Sequence, residues 1–369
     1  MGNVEESKAN KFRCENCRGE LAFDATTRKL KCAHCGASMD VPSDGGGQVV
    51  ERDLFAGLAT APKGLGTDVR THRCQECGAN VSFPEGVTAT KCTFCGSSKV
   101  LDQGQNANTL RPESLVPFGI DKSHANAAFS AWLGKLWLRP SNLKKLAAVQ
   151  EVNGVYVPFW TYDARVHSQW SADRGRYYYT EEEYSATENG QQVTRTRQVQ
   201  QTAWEGASGS REDFYDDVLV CASKGLPQDL ADHFKTFNTK QLQPYAPGFL
   251  AGWRAEEYAI DLKAGWQHAE QRIAGDQKNR CSRDVGGDTQ RNLQVQNTYS
   301  NLTYKHVLLP VWLAAYRYQN KVYRFLVNGQ TGEVVGKAPW SILKVTLLVL
   351  FCAALLATLI FFASQHGQQ

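Results

Sequence analysis

The chain has 369 residues, 42% of them hydrophobic, and a formal net charge of +4. That length allows two or three domains, and that composition excludes a disordered or low-complexity protein. So thin a positive surplus makes no general case for nucleic-acid binding.

The N-terminal stretch MGNVEESKANK has no apolar run, so a signal peptide is not expected. Glu6 stands where a myristoylation signal needs Ser or Thr. Two cysteine frames of equal spacing follow. Cys14 and Cys17 form one C-x-x-C pair and Cys32 and Cys35 a second; Cys74, Cys77, Cys92 and Cys95 repeat the count. Each C-x-x-C turn aims two thiolates at one centre, and a short hairpin between the pairs closes a tetrahedron around Zn²⁺. Two structural zinc ions are therefore expected. Gly36, Gly78 and Gly96 follow second cysteines directly, where a tight turn needs positive φ; in the first turn Gly19 is the glycine at hand. Thiolate ligands and the isolated Cys221, Cys281 and Cys352 suit a reducing compartment better than disulfide loops.

Residues 1–45 are read as zinc ribbon 1, 46–67 as a Gly- and Ala-rich linker, and 68–105 as zinc ribbon 2. Basic and acidic side chains are equal in number within each ribbon, and a zinc held by four thiolates adds a formal charge of about −2. Phosphate contact needs a surplus of Lys and Arg. Arg28, Lys29 and Lys31 form the one clustered group for such a contact.

Residues 106–337 are expected to form an α+β domain of mixed antiparallel sheet and helices. A helix is expected over 123–138, with Phe129, Leu133, Leu136 and Trp137 on its apolar face, and a short one after Ser141. Strands are expected over 155–204, with Asn189-Gly190 as a type I′ turn. A short helix near Pro227 and a longer one over 254–277 follow, the latter with Tyr258, Leu262, Trp266, Ala269 and Ile273 inward. Strands return over 292–335. The segments VYVPFWTYDARV (155–166) and VLLPVWLAAYRY (307–318) share Val, Pro, Trp and Arg at matching places, which suggests an internal repeat. Antiparallel pairing is expected between such strands.

Residues 338–369 contain VTLLVLFCAALLATLIFFA, which as a helix would cover about 28 Å, enough for a bilayer core. Lys337 and Lys344 precede it, and Trp340 sits at an interfacial position. A single-pass tail anchor in the inner (cytoplasmic) membrane is expected, with the N-terminus in the cytoplasm.

No P-loop, H-E-x-x-H, G-x-S-x-G or G-x-G-x-x-G motif occurs, so an enzyme is not expected. The acidic clusters at 181–184 and 211–217 and the alternating Arg195 and Arg197 read as solvated faces. The paired ribbons, the Pro-x-Trp strands, VNGQTGEVVG and the terminal apolar span together resemble bacterial tail-anchored double zinc-ribbon proteins, often labelled as relatives of the primosomal helicase or of transcription factor IIB. The resemblance implies zinc ligation by the eight cysteines and brings no activity with it; without a P-loop, the helicase label does not carry over. The leading expectation is a membrane-tethered adaptor whose two ribbons, on flexible links, bind a protein partner. A nucleic-acid-binding ribbon protein at the membrane is the alternative, and an enzyme in 111–337 comes third.

Overall fold

The structure is a computed structural model describing residues 12–366, except 43–48, 57–60, 66–68, 85–90, 104–108, 142–151, 189–190, 235–236 and 319–320. The expected helix after Ser141 and the Asn189-Gly190 turn lie outside the described residues.

Ribbon 1 contains β1 (Leu21–Asp24), β2 (Lys29–Cys32) and β3 (Ser38–Met39), which form a small sheet of their own. Next come β4 (Arg52–Asp53) and then the ribbon 2 strands β5 (Val69–Cys74), β6 (Asn80–Pro84) and β7 (Val100–Asp102). The short strand β8 (Ser114–Leu115) leads into helix α1 (Lys122–Lys135). Two very long strands follow, β9 (Asn153–Glu188) and β10 (Gln191–Cys221). After α2 (Gln228–Ala231) come β11 (Gln243–Pro244), β12 (Arg254–Glu257) and helix α3 (Leu262–Val285). The chain closes with β13 (Thr289–Tyr318), β14 (Lys321–Asn328), β15 (Val334–Gly336) and helix α4 (Ile342–His366).

The antiparallel pair β9–β13 is the spine. On the outer edge of β9 lie β12, parallel to it, and then β10, antiparallel. On the outer edge of β13 lie β4, β8 and β14, of which β8 alone is parallel. The sheet is thus mixed, with antiparallel pairs dominant.

Period-two alternation gives the spine two apolar faces. Val155, Val157 and Phe159 face one way with Val307, Leu309 and Val311; Tyr156 faces the other with Leu308 and Trp312. Each ribbon covers one face. Cys14, Phe23 and Leu30 of ribbon 1 join the Tyr156 side, and Cys74, Val81 and Phe94 of ribbon 2 join the Val157 side.

This arrangement differs from ribbons carried on flexible links. Ribbon 2 enters the main sheet outright, because β6 pairs with β12 through Ala255–Ser82, Glu256–Val81 and Glu257–Asn80. Ribbon 1 is clamped by two hydrogen bonds: Phe23 N–H donates to Ala251 O at 2.9 Å, and the Trp253 indole donates to Phe23 O at 2.8 Å. The segment expected as a linker also packs, since Leu54, Ala61 and Leu65 are buried and β4 pairs with β13.

The two Pro-x-Trp segments are neighbours, with Val157 directly opposite Leu309. Their surroundings match across that pair. The Trp160 indole donates to Ile260 O at 2.9 Å, and the Trp312 indole donates to Ile120 O at 3.3 Å. Each isoleucine precedes a helix-capping aspartate: Asp121 accepts from His124 N–H for α1, and Asp261 from Ala264 N–H for α3.

Helix α3 begins after Asp261, so the expected helix over 254–277 is shifted. Its first four residues are strand β12, and Tyr258 lies ahead of the cap. The buried stripe is Leu262, Gly265, Ala269, Ile273, Gln277, Cys281 and Val285. Gly265 has to be small there, because a Cβ would meet Trp160 Cδ1 at 2.7 Å. Trp137 likewise departs from expectation. Helix α1 ends before it, and it is exposed rather than in the core.

Strand β10 runs past the expected limit at Trp204, to Cys221. Bulges interrupt the ladders at Tyr215/Val218, Arg291/Gln294 and Ser300/Thr303. The extra residues Asp217, Asn292 and Asn301 take left-handed φ of 52°, 56° and 51°. A carboxylate faces each bulge. Asp163 accepts from Asp217 N–H at 2.6 Å and Thr303 Oγ1 at 2.9 Å, and Asp173 accepts from Asn292 Nδ2 at 2.8 Å.

Candidate metal centres

Four near-identical turns build the two centres. In each, the residue after the second cysteine, or its counterpart in the hairpin, donates back to the first cysteine: Arg18 to Cys14 O, Gly36 to Cys32 O, Gly78 to Cys74 O and Gly96 to Cys92 O. The first cysteine's own N–H donates one residue further on, to Gly19, Ala37, Ala79 and Ser97 carbonyls respectively. Closing so tight a turn forces positive φ on the fifth residue, 73°, 76° and 71° at Gly36, Gly78 and Gly96. The first turn corrects the expectation about Gly19. Arg18 holds the left-handed position, with φ of 62°. Gly19 is small for a different reason: a Cβ there would meet Cys32 Sγ at 3.2 Å and Cys17 Sγ at 3.3 Å.

The turns bring the thiols together as expected. Cys14, Cys17, Cys32 and Cys35 form one cluster and Cys74, Cys77, Cys92 and Cys95 the other, with all sulfurs of a cluster within 4.8 Å. Cross-pairs stand at 3.5 Å in ribbon 1 (Cys14–Cys35, Cys17–Cys32) and 3.6 Å in ribbon 2 (Cys74–Cys95, Cys77–Cys92). A tetrahedron with Zn–S of about 2.3 Å has edges of about 3.8 Å, so the donor sets fit a zinc ion.

The electrostatics explain why a cation belongs there. Among the bare thiols protons are shared unequally. The Cys77 hydrogen bond holds Cys92 down at about 5, and the same bond pushes Cys77 up. In ribbon 1 the Cys35 backbone N–H is the main influence lowering Cys32 to about 6. Four thiolates at van der Waals distance repel, and a divalent cation relieves that repulsion.

The second centre has the more elaborate surroundings. Arg254 Nη1 donates to Thr93 Oγ1 at 3.2 Å and Arg324 Nε to Phe94 O at 3.1 Å. Glu256 is buried behind it, where burial raises its carboxyl to about 8 despite a hydrogen bond from Ser223 Oγ. A neutral acid there adds no charge to an already anionic centre. Arg254, Glu256 and Arg324 carry no signal in the sequence: β12 brings the first two to ribbon 2 by pairing with β6, and Arg324 reaches it from β14 by its side chain alone.

The chain is similar to the uncharacterized protein YdjG of Bacillus subtilis strain 168. The two are 28% identical over 332 residues, which cover 89% of this chain and 90% of that protein. No protein-family model matches the chain, and no solved structure matches it. The likeness brings no activity with it.

The Arg28, Lys29 and Lys31 group lies on the β1–β2 hairpin. Lys29 pairs with Asp40 at 3.0 Å, and the Lys31 charge helps lower the Asp24 carboxyl, which is held down chiefly by Thr27 N–H. The group is thus partly neutralised within its own ribbon. Asp163, Asp216 and Asp217 also approach one another. Lys305 already supplies their cation, at 2.7 Å from Asp217 and 3.8 Å from Asp163, with Glu51 at 2.9 Å. Burial alone would lower the Lys305 pKa, but these carboxylates raise it, so the group locks the bulges. Cys221 and Cys281 are buried, and burial pushes both thiols up, which makes them poor nucleophiles.

Helix α4 is long and apolar enough to cross a membrane. Its window Ile342–Leu359 has a mean hydropathy of 2.5 and buries none of its residues against the protein.

Proposed function

We propose that this protein is a membrane-tethered zinc-ribbon adaptor that binds a protein partner at the cytoplasmic face of the inner membrane and performs no catalysis. Helix α4 is the anchor, the two zinc ions are structural, and the sheet is the platform. We also infer that the platform arose by internal duplication. The matched strand–cap–helix units and the reciprocal Trp160–Ile260 and Trp312–Ile120 bonds support that reading.

The observation that carries the adaptor reading is the far end of the β9–β10 hairpin. Strand β13 begins at Thr289, opposite Gly175. Beyond that point β9 and β10 continue as a two-stranded arm through the Arg176–Ala203 to Glu188–Gln191 pairs. Thirteen residues of strand extend about 43 Å. A lone hairpin is marginal in water, and this one exposes Tyr177, Tyr178, Tyr179 and Tyr184. Tyrosines on a polar, extended arm suit a protein surface, where such side chains serve as anchors. The arm also carries Glu181, Glu182 and Glu183, which repel a phosphate backbone, and Glu182 already pairs with Arg197 at 3.2 Å.

The test is photo-crosslinking of the full chain in native membranes, with the photoreactive group at Tyr178. The adaptor reading expects discrete protein adducts that Tyr184→Ala weakens. Adducts to nucleic acid, together with tight DNA binding at physiological salt that is lost when Arg28, Lys29 and Lys31 become Ala, would promote the nucleic-acid alternative. An absence of adducts would remove the arm as the docking site.

A further inference from the structure

Between Lys135, where α1 ends, and Ser141 the chain turns across the base of α4. The two are locked together by backbone and side chain. Ser341 N–H donates to Leu138 O at 3.0 Å, and Arg139 Nη1 donates to Ala338 O at 2.5 Å. Lys344 Nζ, on the first turn of α4, donates to Trp137 O at 3.1 Å and Arg139 O at 2.8 Å. This turn therefore sits level with the start of the apolar helix, whose Ile342 and Leu343 are 83% and 72% exposed.

The surface at that level has an unusual composition. Trp137 is 64% exposed and Trp340 is 62% exposed. The Arg139 guanidinium lies over the Trp340 ring, 3.8 Å from its centroid. Beside them is a cavity of about 290 Å³ lined by Leu136, Trp137, Arg139, Ser141 and Lys344 among others, with no carboxylate among its described lining residues. Two exposed indoles are costly in water and favoured at the headgroup level of a bilayer, and a cation pair with no acidic partner among the described residues favours an anion.

We propose that residues 136–141 form a second membrane contact, in which Arg139 and Lys344 hold the phosphate of an anionic phospholipid while Trp137 and Trp340 seat in the interface. The inference rests on α4 being the membrane span. Its consequence is mechanical. A single helix would let the platform swivel, whereas a helix plus a lipid-bound turn fixes the tilt of the sheet and the direction of the hairpin arm.

Hydrogen exchange on the full chain in lipid nanodiscs tests this, comparing phosphatidylcholine alone with a mixture containing phosphatidylglycerol. Each cation at an anionic surface is worth about fivefold, so the two together predict amides of 136–141 protected about 25-fold more in the anionic discs. Arg139→Gln and Lys344→Gln should each remove about fivefold of that difference, and Arg139→Lys should keep most of it. Trp137→Ala should lower protection in both lipids, with Trp137→Tyr restoring it. Equal protection of 136–141 in both discs, with α4 amides fully protected, overturns the proposal and leaves the span intact. Freely exchanging α4 amides overturn the span reading and the proposal with it.

Discussion

Ribbon 1 and ribbon 2 have the same cysteine spacing and the same pair of C-x-x-C turns, yet they are joined to the protein differently. Ribbon 1 keeps a three-stranded sheet of its own and is held through Phe23, Trp253 and Ala251. Ribbon 2 gives up its independence. Its strands continue the central sheet through β12, its centre is braced by Arg254 and Arg324, and Cys95 is buried where its counterpart Cys35 is exposed. An identical metal motif can thus be a bolted-on module or a piece of the framework. The difference lies in what the neighbouring strands pair with.

The largest effect that separates the two comes from breaking each centre in turn. Structural zinc contributes roughly 10–16 kcal/mol in small ribbons, as much as a whole domain's net stability of about 5–15 kcal/mol. Cys92→Ser should therefore release β12 and expose the Val157 face, seen as fast exchange of the Ala255–Glu257 amides. Cys32→Ser should unfold ribbon 1 and leave those amides slow. Equal damage from the two substitutions would erase the distinction.

A smaller effect should detach ribbon 1 without touching a ligand. Trp253 stacks on Phe118, with ring centroids 4.0 Å apart, as well as donating to Phe23. Trp253→Ala should cost about 3 kcal/mol and leave the zinc content unchanged. The check is protease sensitivity of ribbon 1 alongside metal analysis.

Acid, which also displaces zinc from thiolates, should act on a third region, where α3 meets β10. Asp213 accepts from Arg280 Nη1 at 2.8 Å and from Gln277 Nε2 at 3.0 Å, and binds Arg211 closely. The Arg211 hydrogen bond is the main cause of its lowered pKa. A lowered pKa means that stability is present above the unfolded value of 3.8 and lost as pH falls through the folded one. Helix α3 should loosen from β10 only below about pH 4, and Asp213→Asn should loosen it at neutral pH. Exchange rates along α3 read both.

The smallest effect refines the comparison of turns. Arg18 holds a conformation that glycine holds in the other three turns, so Arg18→Gly should stabilise ribbon 1 by about 0.5–1 kcal/mol. A shift of its chelator midpoint to higher concentration is the measurement.

The legibility of this chain follows from the range of the forces involved. The eight cysteines and the apolar span are local. Ligand geometry fixes C-x-x-C spacing, and bilayer thickness fixes the length of an apolar run, so each is written in consecutive residues. The capping of α3 was readable in principle at Asp261, but β12 had already claimed Arg254–Glu257, because sheet pairing with Ser82 and Val81 outweighed helix periodicity. The union of ribbon 2 with the sheet left no local trace, since it depends on residues some 175 positions apart. The acidic run at 211–217 read as a solvated face, yet Asp213 and Asp217 are bound to arginine and lysine from distant strands and helices. Trp137 looked like core by helical spacing, and helix α1 simply ends too soon for that spacing to continue.

The central claim is that both frames are metal centres, one modular and one built into the sheet. Elemental analysis of the full chain, purified in detergent without chelator, tests it most directly. The account predicts two zinc ions per chain, falling to one in Cys32→Ser. A wild-type value near zero, in a chain whose Ala255–Glu257 amides are still protected, would contradict it.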